Sequence, residues 1–137
     1  MDLQNLAYAL TQVVHNSGAA TVVGGAAAAL WLVPRQPVPE RSLAWLVSLA
    51  WMLQIASGVG FGAISFYYYG RLPEITGVAT VALAVKVASA SFGFVLGVLY
   101  LLRATRWLEA TRQRAWRALL GLGVAALTAA AFLRWYS

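Results

Sequence analysis

Apolar residues in this chain fall in long, nearly unbroken runs instead of the alternating or one-sided patterns of a soluble fold. Four stretches, near 3–33, 42–69, 75–102 and 115–135, are dominated by Ala, Leu, Val, Gly and aromatic residues. A helix needs about 20 mainly apolar residues to cross the hydrocarbon layer, and each run is long enough. Membrane β-strands are only about 9–11 residues long and alternate strictly. The pattern therefore predicts an all-α integral membrane protein, with residues 1–137 forming one bundle of four transmembrane helices. Local punctuation agrees with this division. Pro34 and Pro37 close the first run, and Gln36 to Arg41 form a polar turn before the second. Gly70 closes the second, and Leu72, Pro73 and Glu74 lead into the third. The segment 103–114, with Trp107 and Leu108 among its charges, is expected to extend the flanking helices or to lie at the lipid surface.

Composition supports the same reading. Of 137 residues, 61% are hydrophobic and 10% charged, and the mean hydropathy is +0.72. A soluble domain carries about 25% charged residues, so the polar surface needed to face water is missing. The net charge of +6 could suggest nucleic acid, but five of the ten basic residues (Arg103, Arg106, Arg112, Arg114 and Arg117) crowd between the third and fourth runs. Membrane proteins place cytoplasmic charge in such connections, so a lipid bilayer and not nucleic acid is the expected partner. Arg35, Glu40 and Arg41 in the first connection share that side, whereas the second carries only Arg71 and Glu74. This asymmetry puts both termini outside, with the chain in the cell's inner membrane as a multi-pass protein. Trp31, Trp45, Tyr100, Trp107 and Trp116 are expected near the inner boundary, and Tyr8, Tyr67, Tyr68, Tyr69, Trp135 and Tyr136 near the outer one. Asp2 and the lack of a basic leader segment predict that the first run is retained in the mature protein.

Chemistry has few carriers. The absence of cysteine excludes disulfides, iron–sulfur clusters and thiolate metal sites. Within the runs, helical spacing brings Tyr8, Gln12 and His15 close to one face of the first helix, with Thr11 and Asn16 nearby. Ala20, Gly24 and Ala28 form a small-residue track suited to close helix contact. The second run holds Gln54, Ser57 and Gly58, and its Gly58, Gly60 and Gly62 are expected to serve packing. The third holds Lys86, Ser89, Gly93 and Gly97, while the fourth has only Thr128 well inside and is expected to be a packing element. An ammonium at mid-membrane costs on the order of 2.5–3.5 kcal/mol on insertion scales, so Lys86 should face protein or water. No acidic residue falls inside any of the four runs. Its partner must then be a neutral acceptor, an anionic ligand or a group from another chain. His15, the only histidine, should lie at similar depth, as a haem ligand, a proton carrier, a quinone contact or a neutral ring bonding across helices. With one histidine and only Met1 and Met52 as methionines, haem would require an open axial position or a second chain. Zinc and copper are poorly served by these donors.

The single histidine before small residues and Trp31, the Ser57-Gly58 pair, and Lys86 in the third run together resemble the four-helix core shared by copper resistance D-type and HemJ-like membrane proteins. The resemblance would span nearly the whole chain, and carried over residue by residue it implies a role for His15 and Lys86. The leading expectation is a subunit of a redox-linked membrane complex, holding haem b, a porphyrin or a quinone against His15, Lys86, Gln12, Asn16 and Gln54, with His15 as the candidate iron ligand. The alternative is a non-catalytic subunit that packs against other membrane chains or against copies of itself. A small transporter would normally show repeats or broken helices, and neither is visible.

Overall fold

In the computed structural model, which describes residues 2–33 and 37–136, Asp2 caps the first helix by accepting a hydrogen bond from Gln4 N at 3.0 Å. That helix, α1, spans Leu3–Trp31. Next come α2, Pro37–Tyr69, and α3, Val78–Arg103. A single 3₁₀ turn at Ala104–Arg106 then leads into α4, Glu109–Tyr136. All four helices are long and apolar enough to cross a membrane, and no strand occurs among the described residues.

Several boundaries differ from the expected ones, each for a local reason. Pro34, expected as a terminator, and Arg35 and Gln36 of the expected first connection lie outside the described residues. The expected polar turn across 36–41 is largely helical, because α2 starts at Pro37 instead of near 42. Proline suits a first helical turn, where the missing N–H would have no partner anyway, and Glu40 favours the positive end of the dipole. Likewise α4 begins at Glu109 instead of near 115, so the 103–114 segment extends its flanking helices and leaves only Trp107 and Leu108 as a turn. In the opposite sense α3 starts at Val78 rather than near 75, behind Gly77 at φ +55°. Gly70, at φ +67°, ends α2 with its N–H bonded to Phe66 O. Both positive φ values suit glycine.

Neighbours in sequence are neighbours in space: α1 packs on α2, α2 on α3, α3 on α4, and α4 closes the ring against α1. The helices run up and down, so one end of the bundle gathers the start of α1, the end of α2, the start of α3 and the end of α4. Gln4 Nε2 donates to Tyr69 Oη at 2.5 Å there. At the opposite, arginine-rich end, Arg41 donates to Leu101 O at 2.7 Å.

Close packing rests on small residues, though not all of those expected. Gly93 sits under the Trp51 ring and Gly97 against Ser48, leaving no room for a Cβ at either. The contact face of α1 runs through His15, Gly18, Val22, Gly25, Ala26 and Ala29. A Cβ on Gly18 would come within 2.7 Å of Gln54 Nε2, and one on Gly25 within 2.6 Å of Val47. The expected Ala20, Gly24 and Ala28 track is displaced around the helix from that face: Ala20 and Gly24 are exposed, and Gly24 has open space beside it. Gly58 is open too, so of the three α2 glycines only Gly60 and Gly62 have neighbours within van der Waals range. Large apolar side chains such as Val59, Val81, Val87, Phe92 and Val95 point outward, as a lipid-facing surface requires.

The largest departure concerns charge. Glu40, read from sequence as a loop residue, is completely buried, and Arg112 nearly so. Arg112 Nε donates to Glu40 Oε2 at 2.9 Å, and the Tyr100 hydroxyl donates to the same oxygen. Arg112 also reaches Trp107 O at 3.1 Å. One carboxylate thus joins α2, α3 and α4. Tyr100 and Trp116, expected at the membrane boundary, are instead fully buried beside this pair, with ring centroids 5.0 Å apart. Tyr67, Tyr69, Trp135 and Tyr136 are exposed at the other end, where interfacial aromatics belong.

Candidate functional site

The half of the bundle away from the arginine-rich end does not close completely. A cavity of ≈480 Å³ remains among the helices, within the range of small-molecule sites. Gln12, His15, Asn16, Gln54 and Lys86, the five residues singled out from sequence, all line it. The packing of α1 on α2 explains part of this convergence. Gly18 lets α2 approach closely enough for Gln54 Nε2 to donate to His15 O at 2.5 Å. Gln12 and Asn16, one turn apart, are joined by a hydrogen bond of 2.6 Å. His15 and Lys86 sit on diagonally opposed helices and face the space between them.

His15 is buried and oriented on two sides. Its Nδ1 lies 2.7 Å from Ser57 Oγ, and Phe61 packs against the ring at 74° and 5.7 Å. Tyr8, expected on the same face, stacks on the other partner of that contact, Phe61, and does not line the cavity. Ser57 Oγ also lies 2.6 Å from Leu53 O, a bond of the serine-to-preceding-turn type. A hydroxyl has a single hydrogen. With that hydrogen on Leu53 O, Ser57 must accept from His15 Nδ1–H. The ring is then held as the tautomer whose Nε2 carries the free lone pair. Metal-ligating histidines are oriented in the same manner, with the second nitrogen donating to an oxygen.

Lys86 is half-buried and has no hydrogen-bond or ion-pair partner among the described residues. It stands about 12 Å from the start of α3 at 1.5 Å per residue, nearer the end of the helix than the mid-membrane depth expected, because α3 starts at Val78. Two further donors were missed from sequence. Trp51 lines the cavity while buried, and its indole N–H has no acceptor among the described residues. Arg134, in the last turn of α4, contributes to the wall. That helix, expected only to pack, supplies Gly123, Ala126, Leu127, Ala130 and Ala131 as well. Thr128 faces outward and bonds back to Val124 O. The spacing of Arg134 from the α4 stripe was available in the sequence, but which helix stands beside α1 was not.

Among the described residues the lining includes no carboxylate side chain. Donors exceed acceptors, so the cavity is complementary to an anionic or carbonyl-bearing molecule with an apolar body. No three His, Asp or Glu side chains come together among the described residues, so the only imidazole available to a metal there is His15. Comparison with known protein families, characterised proteins and solved structures found no match to this chain.

Proposed function

We propose that this chain is a subunit of a redox-linked complex in the cell's inner membrane, with both termini outside, and that its cavity receives haem b, a porphyrin or a quinone. The observation that carries the reading is the convergence of His15, Lys86, Gln12, Asn16 and Gln54 on one acid-free cavity. His15 Nε2, with its free lone pair, would be the nitrogen that holds a haem iron. Lys86 and the Trp51 indole would hold a propionate or a quinone carbonyl. Haem or quinone would supply electron transfer, and the protein's part is to orient the group and shield it from water.

The test is the visible absorption spectrum of protein purified in mild detergent, with mass spectrometry of whatever copurifies and a titration with haem and ubiquinone. His15→Ala should abolish chromophore binding while helicity is retained, and Lys86→Met should weaken ligand binding at least about tenfold, as loss of a charge-assisted contact predicts. If the wild-type protein binds neither haem nor quinone, the reading fails. A second reading would then stand: a non-catalytic subunit or homo-oligomer that docks other membrane helices. It is favoured by Gly24 and Gly58, which face outward with open space beside them, where another helix could approach closely.

A further inference from the structure

A second concavity lies at the arginine-rich end, between α1 and α4. It measures ≈570 Å³ and is lined by Leu30 and Trp31 from α1 and by Gln113, Arg117, Leu120, Gly121 and Val124 from α4. The α4 residues form one stripe, because 113, 117, 121 and 120, 124 recur at helical spacing. Chemistry changes along that stripe. Gln113 and Arg117 occupy the turns nearest the helix start, and Leu120, Gly121 and Val124 continue toward the membrane centre. Gly121 leaves a slot, since no described residue lies within 4 Å of where its Cβ would be. Trp31, 70% exposed, forms the rim.

Two groups in this groove have no partner among the described residues. Arg117 is exposed and has no hydrogen-bond or ion-pair partner among the described residues. Gln113 is only 9% exposed, and its Nε2 has no acceptor. At 1.5 Å per residue Arg117 lies about 12 Å into a helix about 42 Å long. That places it close to the edge of a hydrocarbon layer about 30 Å thick. A guanidinium at that level needs an anion reachable from within the membrane.

We propose that this groove binds one anionic phospholipid, its phosphate held by Arg117 with help from the Gln113 amide and one acyl chain lying over Gly121 and against Leu120 and Val124. The ordering of donor, slot and apolar wall from membrane edge to interior matches the molecule's own order of phosphate, glycerol and chain. Five exposed arginines among the described residues at this end, Arg41, Arg103, Arg106, Arg114 and Arg117, raise the local concentration of anionic headgroups, but of these only Arg117 opens onto the groove.

The experiment is native mass spectrometry and thermal unfolding of the full chain in a neutral detergent, with added phosphatidylglycerol, phosphatidylcholine or inorganic phosphate. One phosphatidylglycerol should be retained and should raise the melting temperature, and neither phosphatidylcholine nor phosphate should do so to the same extent. Arg117→Gln should weaken retention about tenfold, the loss of one charge-assisted contact. Gly121→Leu should also weaken it, by filling the slot, and its open surroundings leave the fold intact. Arg106→Gln removes the same charge outside the groove and should leave binding unchanged. Equal losses in Arg106→Gln and Arg117→Gln would overturn the proposal in favour of diffuse attraction. Equal retention of phosphatidylcholine would overturn it, and so would a lipid-independent dimer abolished by Gly121→Leu, which would make the groove an interface between copies.

Discussion

Glu40 shows how much one side chain can organise. Its carboxylate is fully buried and accepts from both Arg112 and Tyr100. A lone buried charge is far costlier than a paired one, so removing either partner should destabilise by about 3–5 kcal/mol. Glu40→Ala and Arg112→Ala should each show this loss in denaturant unfolding of the detergent-solubilised protein. The double variant Glu40→Leu with Arg112→Met should recover much of it, because no unpaired charge remains. Strictly additive losses would mean that the pair does not act as a unit. In the cavity at the other end the situation is reversed, for Lys86 has no partner among the described residues. The same physics that makes Glu40 and Arg112 a fastener makes Lys86 a candidate for binding something from outside the chain.

Among the elements, contact between α2 and α3 depends on backbone approach. Trp51 lies over Gly93 and Ser48 over Gly97, with no space for further atoms. Gly93→Leu should therefore force the two helices apart, and overpacking of this kind costs about 1–3 kcal/mol or more. Val95→Ala, two residues away on the outward side of α3, should change stability by less than about 0.5 kcal/mol. Thermal unfolding in a single detergent compares the two, and equal tolerance would remove the glycine contact as a determinant of packing. Separation of α2 from α3 would also displace Trp51, which lines the cavity, so Gly93→Leu should impair ligand binding there by moving the Trp51 indole.

Taken as a whole molecule, the bundle has two dissimilar ends. One holds the Glu40–Arg112 pair and, among the described residues, five exposed arginines including Arg41. The other holds the cavity mouth, exposed tyrosines and the short Arg71–Glu74 pair at 3.0 Å. Arginine in short connections is retained on the cytoplasmic side. Reporter fusions at the C-terminus and in the turn at Trp107 and Leu108 should accordingly lie on opposite sides of the membrane, with the turn inside. Fusions reporting the same side would contradict an odd number of crossings between them. Burial of Arg112 removes one charge from the expected topological signal, yet Arg103, Arg106, Arg114 and Arg117 remain exposed, so the asymmetry persists.

Apolar run length alone determined that this chain forms four helices capable of crossing a membrane, since a backbone in lipid must satisfy its own hydrogen bonds. The isolation of His15 and Lys86 in such runs was enough to single them out, because polar groups there are expensive. Spacing within one helix also placed Gln12 and Asn16 near His15. Which residues face one another across helices is a different kind of information. Periodicity fixes positions around a helix axis, but not the direction in which that axis is turned. For that reason Gly18 and Gly25, and not Gly24, form the α1 contact, and Arg134 and Trp51 join the cavity. The Glu40–Arg112 pair was hidden for a related reason. Prolines beside charges look like a loop until the helix starts at Pro37, and only then does a carboxylate on α2 come to face an arginine 72 positions along the chain.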